Sequence, residues 1–195
     1  MYSQNNEESV IVNYFESNHI SRGRFLDIGA YDGKTFSNTH KLAEMGWSGV
    51  CYEPSPKPFT ALKLLYNSNP RIVVCNSAVG QTNGAIKFFD TNGNAVSTTD
   101  ASHKTKWEKG SVKFNEIVVQ CTSARDVIGK HGPKYDFVNV DTEGTNVQTL
   151  MDLVSAGLKF NLLCVEHDGS IDQIIKMFPG CVNLSQNGEN VILKR

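Results

Sequence analysis

The stretch Phe25-Leu26-Asp27-Ile28-Gly29-Ala30-Tyr31-Asp32-Gly33 constrains the possible folds of this chain most tightly. Phe25 to Ile28 is a short apolar run interrupted only by Asp27, the pattern of a buried parallel strand. The run breaks at Gly29 and Gly33, and a helical pattern follows from about Thr35 to Gly46. A strand, a glycine turn and a helix form the nucleotide-cradling unit of doubly wound α/β folds. Glycine serves there because backbone must approach a ligand closely or take a positive φ. The spacing is Asp-x-Gly-x-x-x-Gly, which departs from the Gly-x-Gly-x-x-Gly of dinucleotide binders.

The alternation continues along the chain. Val10, Ile11, Tyr14 and Phe15 at helical spacing predict a first amphipathic helix over residues 7–16. Strands are predicted at 24–28, 47–53, 71–76, 135–141 and 160–166, and helices at 56–66, 124–130, 146–156 and 171–178. Residues 85–88 and 114–119 alternate apolar with polar and read as two half-buried strands. Between them, about 91–112 is rich in Asn, Gly, Ser, Thr and Lys. It is too long for a bare connection and is expected to act as a substrate lid. Asn187-Gly188 marks a hairpin between 181–184 and 190–193. The expectation is one α/β domain over 1–195, a mostly parallel sheet flanked by helices with an antiparallel C-terminal edge.

A chain of 195 residues suits one domain with a sizeable core. The net charge of −1 advertises no basic face for nucleic acid. No apolar run approaches the ~20 residues of a membrane span. Met1 to Glu8 is polar and acidic, without the basic and apolar regions of a signal peptide. The five cysteines form no C-x-x-C pair and most lie in apolar runs. They read as reduced, buried thiols of a cytoplasmic protein, not as zinc ligands.

Four predicted strands end on an acid: Asp27, Glu53, Asp141 and Glu166. In an open parallel sheet these ends lie along one edge, where ligands bind. Carboxylates held together raise one another's pKa, and a cationic or hydroxyl-bearing ligand relieves them. Glu53, at the end of the second sheet strand, is placed to accept from both hydroxyls of a ribose. Asp27 and Asp32 flank the glycine turn, so an anionic pyrophosphate is poorly served there. A ligand carrying an ammonium and a sulfonium, such as S-adenosylmethionine, fits better.

Asp27-x-Gly29-x-x-x-Gly33 followed by Glu53 resembles the first two motifs of class I S-adenosylmethionine-dependent methyltransferases. The closer resemblance is to the FkbM-type family. It rests on Tyr2-Ser3-Gln4 with Glu8, Asp27 to Gly33, Ser37-Asn38-Thr39, Gly46 to Val50 with Glu53-Pro54, and Asp141-Thr142-Glu143-Gly144, and it covers roughly residues 2–168. The resemblance implies a Rossmann-like class I methyltransferase fold with a seven-stranded sheet. It implies that Gly29, Ala30, Tyr31 and Gly33 pack on the methionine part and that Asp27 orients its amino group. Ser37 and Asn38 then bind the carboxylate, Glu53 holds the ribose, and Pro54 lies against adenine. Asn76, Ser77 and Ala78 meet the adenine edge, and Gln4 folds over the methionine end. Asp141 and Glu143 stand at the acceptor.

Methyl transfer is an in-line displacement, to which protein contributes alignment and exclusion of water. An alcohol acceptor must also lose its proton, for which Asp141, Glu143, Glu166 and His167 are candidates. By ordinary pKa His167 is the best single base. No metal is favoured; a hard divalent cation would fall to Asp141, Glu143 and His167, with Glu166 and Asp168 beside them. His19, His40 and His131 read as solvated, and His103 lies in the long loop with Trp107, Lys104, Lys106 and Lys109. The combined expectation is O-methylation of a hydroxyl on a sugar or small metabolite, the acceptor being a small molecule or glycan and not nucleic acid or membrane. The rivals are an NAD-binding oxidoreductase of related fold and a cofactor-binding module without catalysis. Nitrogen methylation is a further alternative. Acceptor identity, metal dependence and oligomeric state are not legible in the sequence.

Overall fold

The computed structural model describes residues Met1–Arg195. Its elements run α1 (Glu7–Ser17), β1 (Arg24–Ile28), α2 (His40–Glu44), β2 (Ser48–Tyr52), α3 (Pro56–Tyr66), β3 (Ile72–Cys75), β4 (Ala78–Gly80), β5 (Gly84–Asp90), α4 (Ala101–Glu108), β6 (Asn115–Ser123), α5 (Ala124–His131), β7 (Lys134–Val140), α6 (Asn146–Ser155), β8 (Lys159–Glu166), α7 (Ile171–Met177), β9 (Val182–Gln186) and β10 (Asn190–Lys194). The main sheet has seven strands in the order β3-β2-β1-β7-β8-β10-β9. The first five pair in parallel, and β10 runs antiparallel to both β8 and β9. This is the Rossmann-like architecture with an antiparallel C-terminal edge, as the alternation of elements implies.

Period-two alternation sorts the strands' side chains onto two faces. Leu26, Ile28, Val50, Tyr52, Val138 and Val140 build one core with Val127, Leu150, Leu153 and Ile174 of the covering helices. Phe25, Cys51, Phe137, Leu162 and Cys164 build the other with Ile11, Phe15, Leu42, Leu62 and Trp47. Phe15 meets Trp47 edge-on at 4.6 Å between ring centres, which locks α1 against the sheet. All five cysteines are free thiols. No helix is long and apolar enough to cross a membrane.

Three elements differ from the sequence reading, each for a local reason. The helix expected from Thr35 shrinks to His40–Glu44. The Ser37 hydroxyl accepts from the Thr39 and His40 N–H groups, Thr39 donates its own hydroxyl to Asp27 of β1, and Phe36 takes φ +58°, so polar side chains outcompete helical pairing before residue 40. The long loop contains α4, capped by Asp100, whose carboxylate accepts from the N–H groups of Ser102 (2.6 Å) and His103 (2.8 Å). Only His103 of α4 is buried, so apolar periodicity could not reveal it. Residues 78–80 form β4, which joins β6 and β5 in a separate three-stranded sheet. His40 is buried rather than solvated and faces the Tyr66 hydroxyl at 3.1 Å.

Candidate active site

Strand register sets the site. Ile28 pairs with Tyr52 and with Val140, and Val140 pairs with Val165. Glu53, Asp141 and Glu166 therefore each stand one residue beyond a common row, and Asp27 one residue before it. Above this edge lies a cavity of about 320 Å³. Its lining includes five carboxylates, Asp27, Glu53, Asp141, Glu143 and Asp152, and no Lys, Arg or His.

Gly29 holds the floor. Its φ is +87°, and a Cβ there would stand 1.6 Å from the Asp141 carbonyl oxygen. The ends of β1 and β7 meet this closely because position 29 carries no side chain. The N–H groups of Gly29 and Ala30 both donate to the Tyr52 carbonyl, at 2.9 and 3.0 Å, which stitches the turn to β2. Tyr31 follows at φ +51° and aims its N–H at Glu53 Oε2, 2.9 Å away. Ser55 N–H donates to Glu53 Oε1 at 2.7 Å. Burial pushes the Glu53 pKa up to about 7, although the two N–H donors pull it back down. Asp27, 2% exposed, accepts from Asn139 Nδ2 at 2.9 Å and from the Thr39 hydroxyl at 2.6 Å. Burial raises its pKa against those two bonds.

Gln4, Asp27, Gly29, Ala30, Tyr31, Ser37, Asn38, Glu53, Pro54, Ser77 and Ala78 all line the cavity. Ser37 is partly committed, because its Oγ accepts from the His40 N–H at 3.0 Å. Asn38 donates to Asn139 Oδ1 at 3.0 Å, and its own carbonyl oxygen has no partner within the protein. Two of the cofactor-binding expectations fall elsewhere. Gly33 packs on α3, where a Cβ would meet Leu62 at 2.6 Å and Tyr66 at 3.2 Å. Asn76 is exposed, and its amide braces the Glu53 and Pro54 carbonyls at 2.9 and 3.2 Å.

Past the ends of β7 and β8, carboxylate oxygens of Asp141, Glu143 and Glu166 lie within 4.8 Å of one another. Asp141 and Glu143 line the cavity, and Glu166 stands behind them. Burial, then the charges of Glu166 and Glu143, hold the Asp141 pKa well above the carboxylate range. Burial, then Glu143 and Asp168, push Glu166 to about 7. Asn146 relieves part of this crowding, donating to Glu166 at 2.7 Å and Asp168 at 2.9 Å. Glu143, at φ +52°, pairs with His103 Nε2 of α4 at 2.8 Å, and that contact raises the His103 pKa. The Trp107 indole N–H points at the same nitrogen at 2.7 Å; an Nε2 that carries the proton for Glu143 cannot accept from it, so the two contacts exclude one another. Of the side chains expected to hold a cation, Asp141 and Glu143 are joined here by Glu166.

His167 sits outside the cavity. Its Nδ1 accepts from the Gly169 N–H at 3.0 Å, which leaves Nε2 to donate to the Asn187 carbonyl at 3.2 Å. One ring nitrogen serves its own loop between β8 and α7, the other the β9–β10 turn. The segment 91–99 covers the cavity instead: Tyr31 hydroxyl donates to the Gly93 carbonyl at 2.7 Å, and Asn94, Ala95, Ser97 and Thr99 face inward. The sequence reading missed Asn139, which the two-residue strand period places on the same face as Asp141 and which holds both Asp27 and Asn38.

Residues 27–185 match the model of the methyltransferase FkbM domain. The chain belongs to this family. A search by sequence finds no match among curated proteins. Among solved structures, the fold is similar to an Escherichia coli protein provisionally described as the methyltransferase yhhF, at 12% identity and TM-score 0.56, over 98% of this chain and 86% of that one. A Staphylococcus aureus protein provisionally described as a caffeoyl-CoA O-methyltransferase is 10% identical at TM-score 0.54, over 100% of this chain and 86% of that one. Monomeric WbdD is 10% identical at TM-score 0.55, over 97% of this chain but 41% of its own. At these identities the structures show the shared fold alone. The FkbM match places the protein among S-adenosylmethionine-dependent methyltransferases. The site fits that cofactor, since a cavity lined by acids and by no cation suits a sulfonium and an ammonium and repels a pyrophosphate.

Proposed function

We propose that this FkbM methyltransferase transfers a methyl group to a hydroxyl oxygen of a sugar or small metabolite. The observation that carries the reading is the composition of the cavity: five carboxylates and no cation, with three acids clustered where the acceptor would enter. S-adenosylmethionine supplies a methyl already activated by its sulfonium. Glu53 keeps lone pairs beyond those used by Tyr31 and Ser55, and these accept from the ribose diol. Asp27 and the unpartnered Asn38 oxygen favour the ammonium. The acceptor lies against Asp141 and Glu143, beneath Ser97 and Thr99, in a pocket of hydroxyl and carboxylate groups suited to a neutral, hydroxyl-rich molecule. Its proton passes to the Asp141–Glu143–Glu166 cluster, in which Glu166 titrates near 7. The segment 91–112 serves as the lid, held by His103 on Glu143.

Incubation of the protein with methyl-labelled cofactor and a panel of sugars, hydroxylated metabolites and amines tests this. Labelled methyl ethers are the expected products; label found only on nitrogen would overturn the oxygen assignment.

A further inference from the structure

Gln4 lines the cavity, and the N-terminal segment around it is tied down on both sides. On one side the Tyr2 ring stands edge-on to His40 at 4.4 Å, and its hydroxyl donates to Glu44 at 2.8 Å, which anchors the segment on α2. On the other side Glu189, in the β9–β10 turn, takes two amides at once. Gln4 Nε2 donates to its Oε1 at 2.9 Å, and Asn5 Nδ2 donates to its Oε2 at 2.6 Å. The turn is itself fixed. The Glu189 carbonyl accepts from the His167 N–H at 2.8 Å, and Glu7, 2% exposed, accepts from Asn187 and Asn190 at 2.7 and 2.9 Å.

The sheet order decides which part of the cavity this segment covers. Glu53 follows β2, on one side of β1, whereas the β9–β10 turn meets the end of β8 on the other side, where Asn190 pairs with Glu166. With a ribose on Glu53, the amino-acid end of the cofactor lies under Gln4, which lines the cavity there. Glu189 holds the nitrogen of the Gln4 amide, which fixes its plane, and no donor of the protein engages its oxygen.

We propose that Glu189 is a positioning residue. It clamps the Gln4 amide so that Gln4 Oε1 accepts from the cofactor's amino group, and it thereby makes residues 1–6 a strap over the amino-acid end. This rests on the cofactor reading given above.

The test compares two ligands on the full chain by calorimetry: S-adenosylhomocysteine, and 5′-methylthioadenosine, which lacks the amino-acid end. Glu189→Ala is expected to weaken the first about tenfold, the scale of one charge-assisted hydrogen bond, and to leave the second within about twofold. Gln4→Ala, at an exposed position, should reproduce that selective loss without lowering the unliganded melting temperature. The double variant should be no worse than either single one, and Glu189→Gln, which can still accept from Gln4, should recover most of the affinity. Equal weakening of both ligands, or of neither, overturns the positioning role. Wild-type protein that binds methylthioadenosine as tightly as S-adenosylhomocysteine overturns it too, while sparing the adenosine site. Wild-type protein that binds neither overturns the cofactor reading and this inference with it.

Discussion

Glu53→Gln separates charge from shape at the ribose position. In the free protein Glu53 is 6% exposed and titrates near 7, because burial disfavours its ionised form. A ribose diol adds two donors that the carboxylate can accept and that stabilise that form, so binding selects ionised Glu53. Affinity is then flat above pH 7 and falls about tenfold per unit below it. At pH 5.5 S-adenosylhomocysteine should bind roughly 30-fold more weakly than at pH 8. The Gln variant keeps the size of the side chain and loses the charge. At pH 8 it forfeits about 1.5–3 kcal/mol, the value of a hydrogen bond to a charged group, or about 10- to 150-fold in affinity. Its pH profile should be flat, so the two proteins converge near pH 5.5. Calorimetric titration from pH 5.5 to 8.5 reads both effects. Full affinity in the variant at pH 8 would remove Glu53 from the ribose. The same pH slope in both proteins would assign the proton to another group.

The unliganded stability should move the opposite way. The folded Glu53 pKa lies above the unfolded value of 4.5, so the folded state holds the extra proton between about 4.5 and 7. Stability should fall by roughly 3 kcal/mol as pH rises through that window, with Asp27 and Asp141 adding in the same direction, and urea unfolding at pH 4.5 and 7.5 measures it. Gly29→Ala should cost more than about 3 kcal/mol and abolish cofactor binding, since its Cβ collides with the Asp141 carbonyl; a melting temperature equal to wild type would contradict this. Asp141→Asn should leave S-adenosylhomocysteine affinity within about threefold and reduce methyl transfer at least about 100-fold in single-turnover assays. Phe15→Ala should cost about 3–5 kcal/mol in denaturant unfolding, because the ring is wholly buried between Trp47 and Phe137.

The parallel strands were legible because their residues are buried on both faces and read as continuous apolar runs. Their terminal acids were legible for the same reason: a charge closing such a run stands out, and strand register then sets Glu53, Asp141 and Glu166 side by side. Features decided by distant contacts were not legible. His167 reads as a base on the ordinary pKa of an imidazole. In the structure β10 lies between β8 and β9, and the ring's two nitrogens are taken by Gly169 just after β8 and by Asn187 of the β9–β10 turn. Gly33 shares a motif with Gly29, yet its missing side chain makes room for Leu62 and not for a ligand. The clamp of Glu189 on Gln4 joins residues 185 positions apart, beyond the reach of any local pattern. Helix α4 rests on a cap and two ion pairs, His103–Glu143 and Lys104–Glu108, and carries no apolar stripe.

The most direct measurement is calorimetric titration of the full chain with S-adenosylhomocysteine beside NAD. Micromolar binding of the first and none of the second is the predicted result, since the cavity carries acids for a ribose and an ammonium and no cation for a pyrophosphate. Binding of NAD, or of neither ligand, would contradict the account.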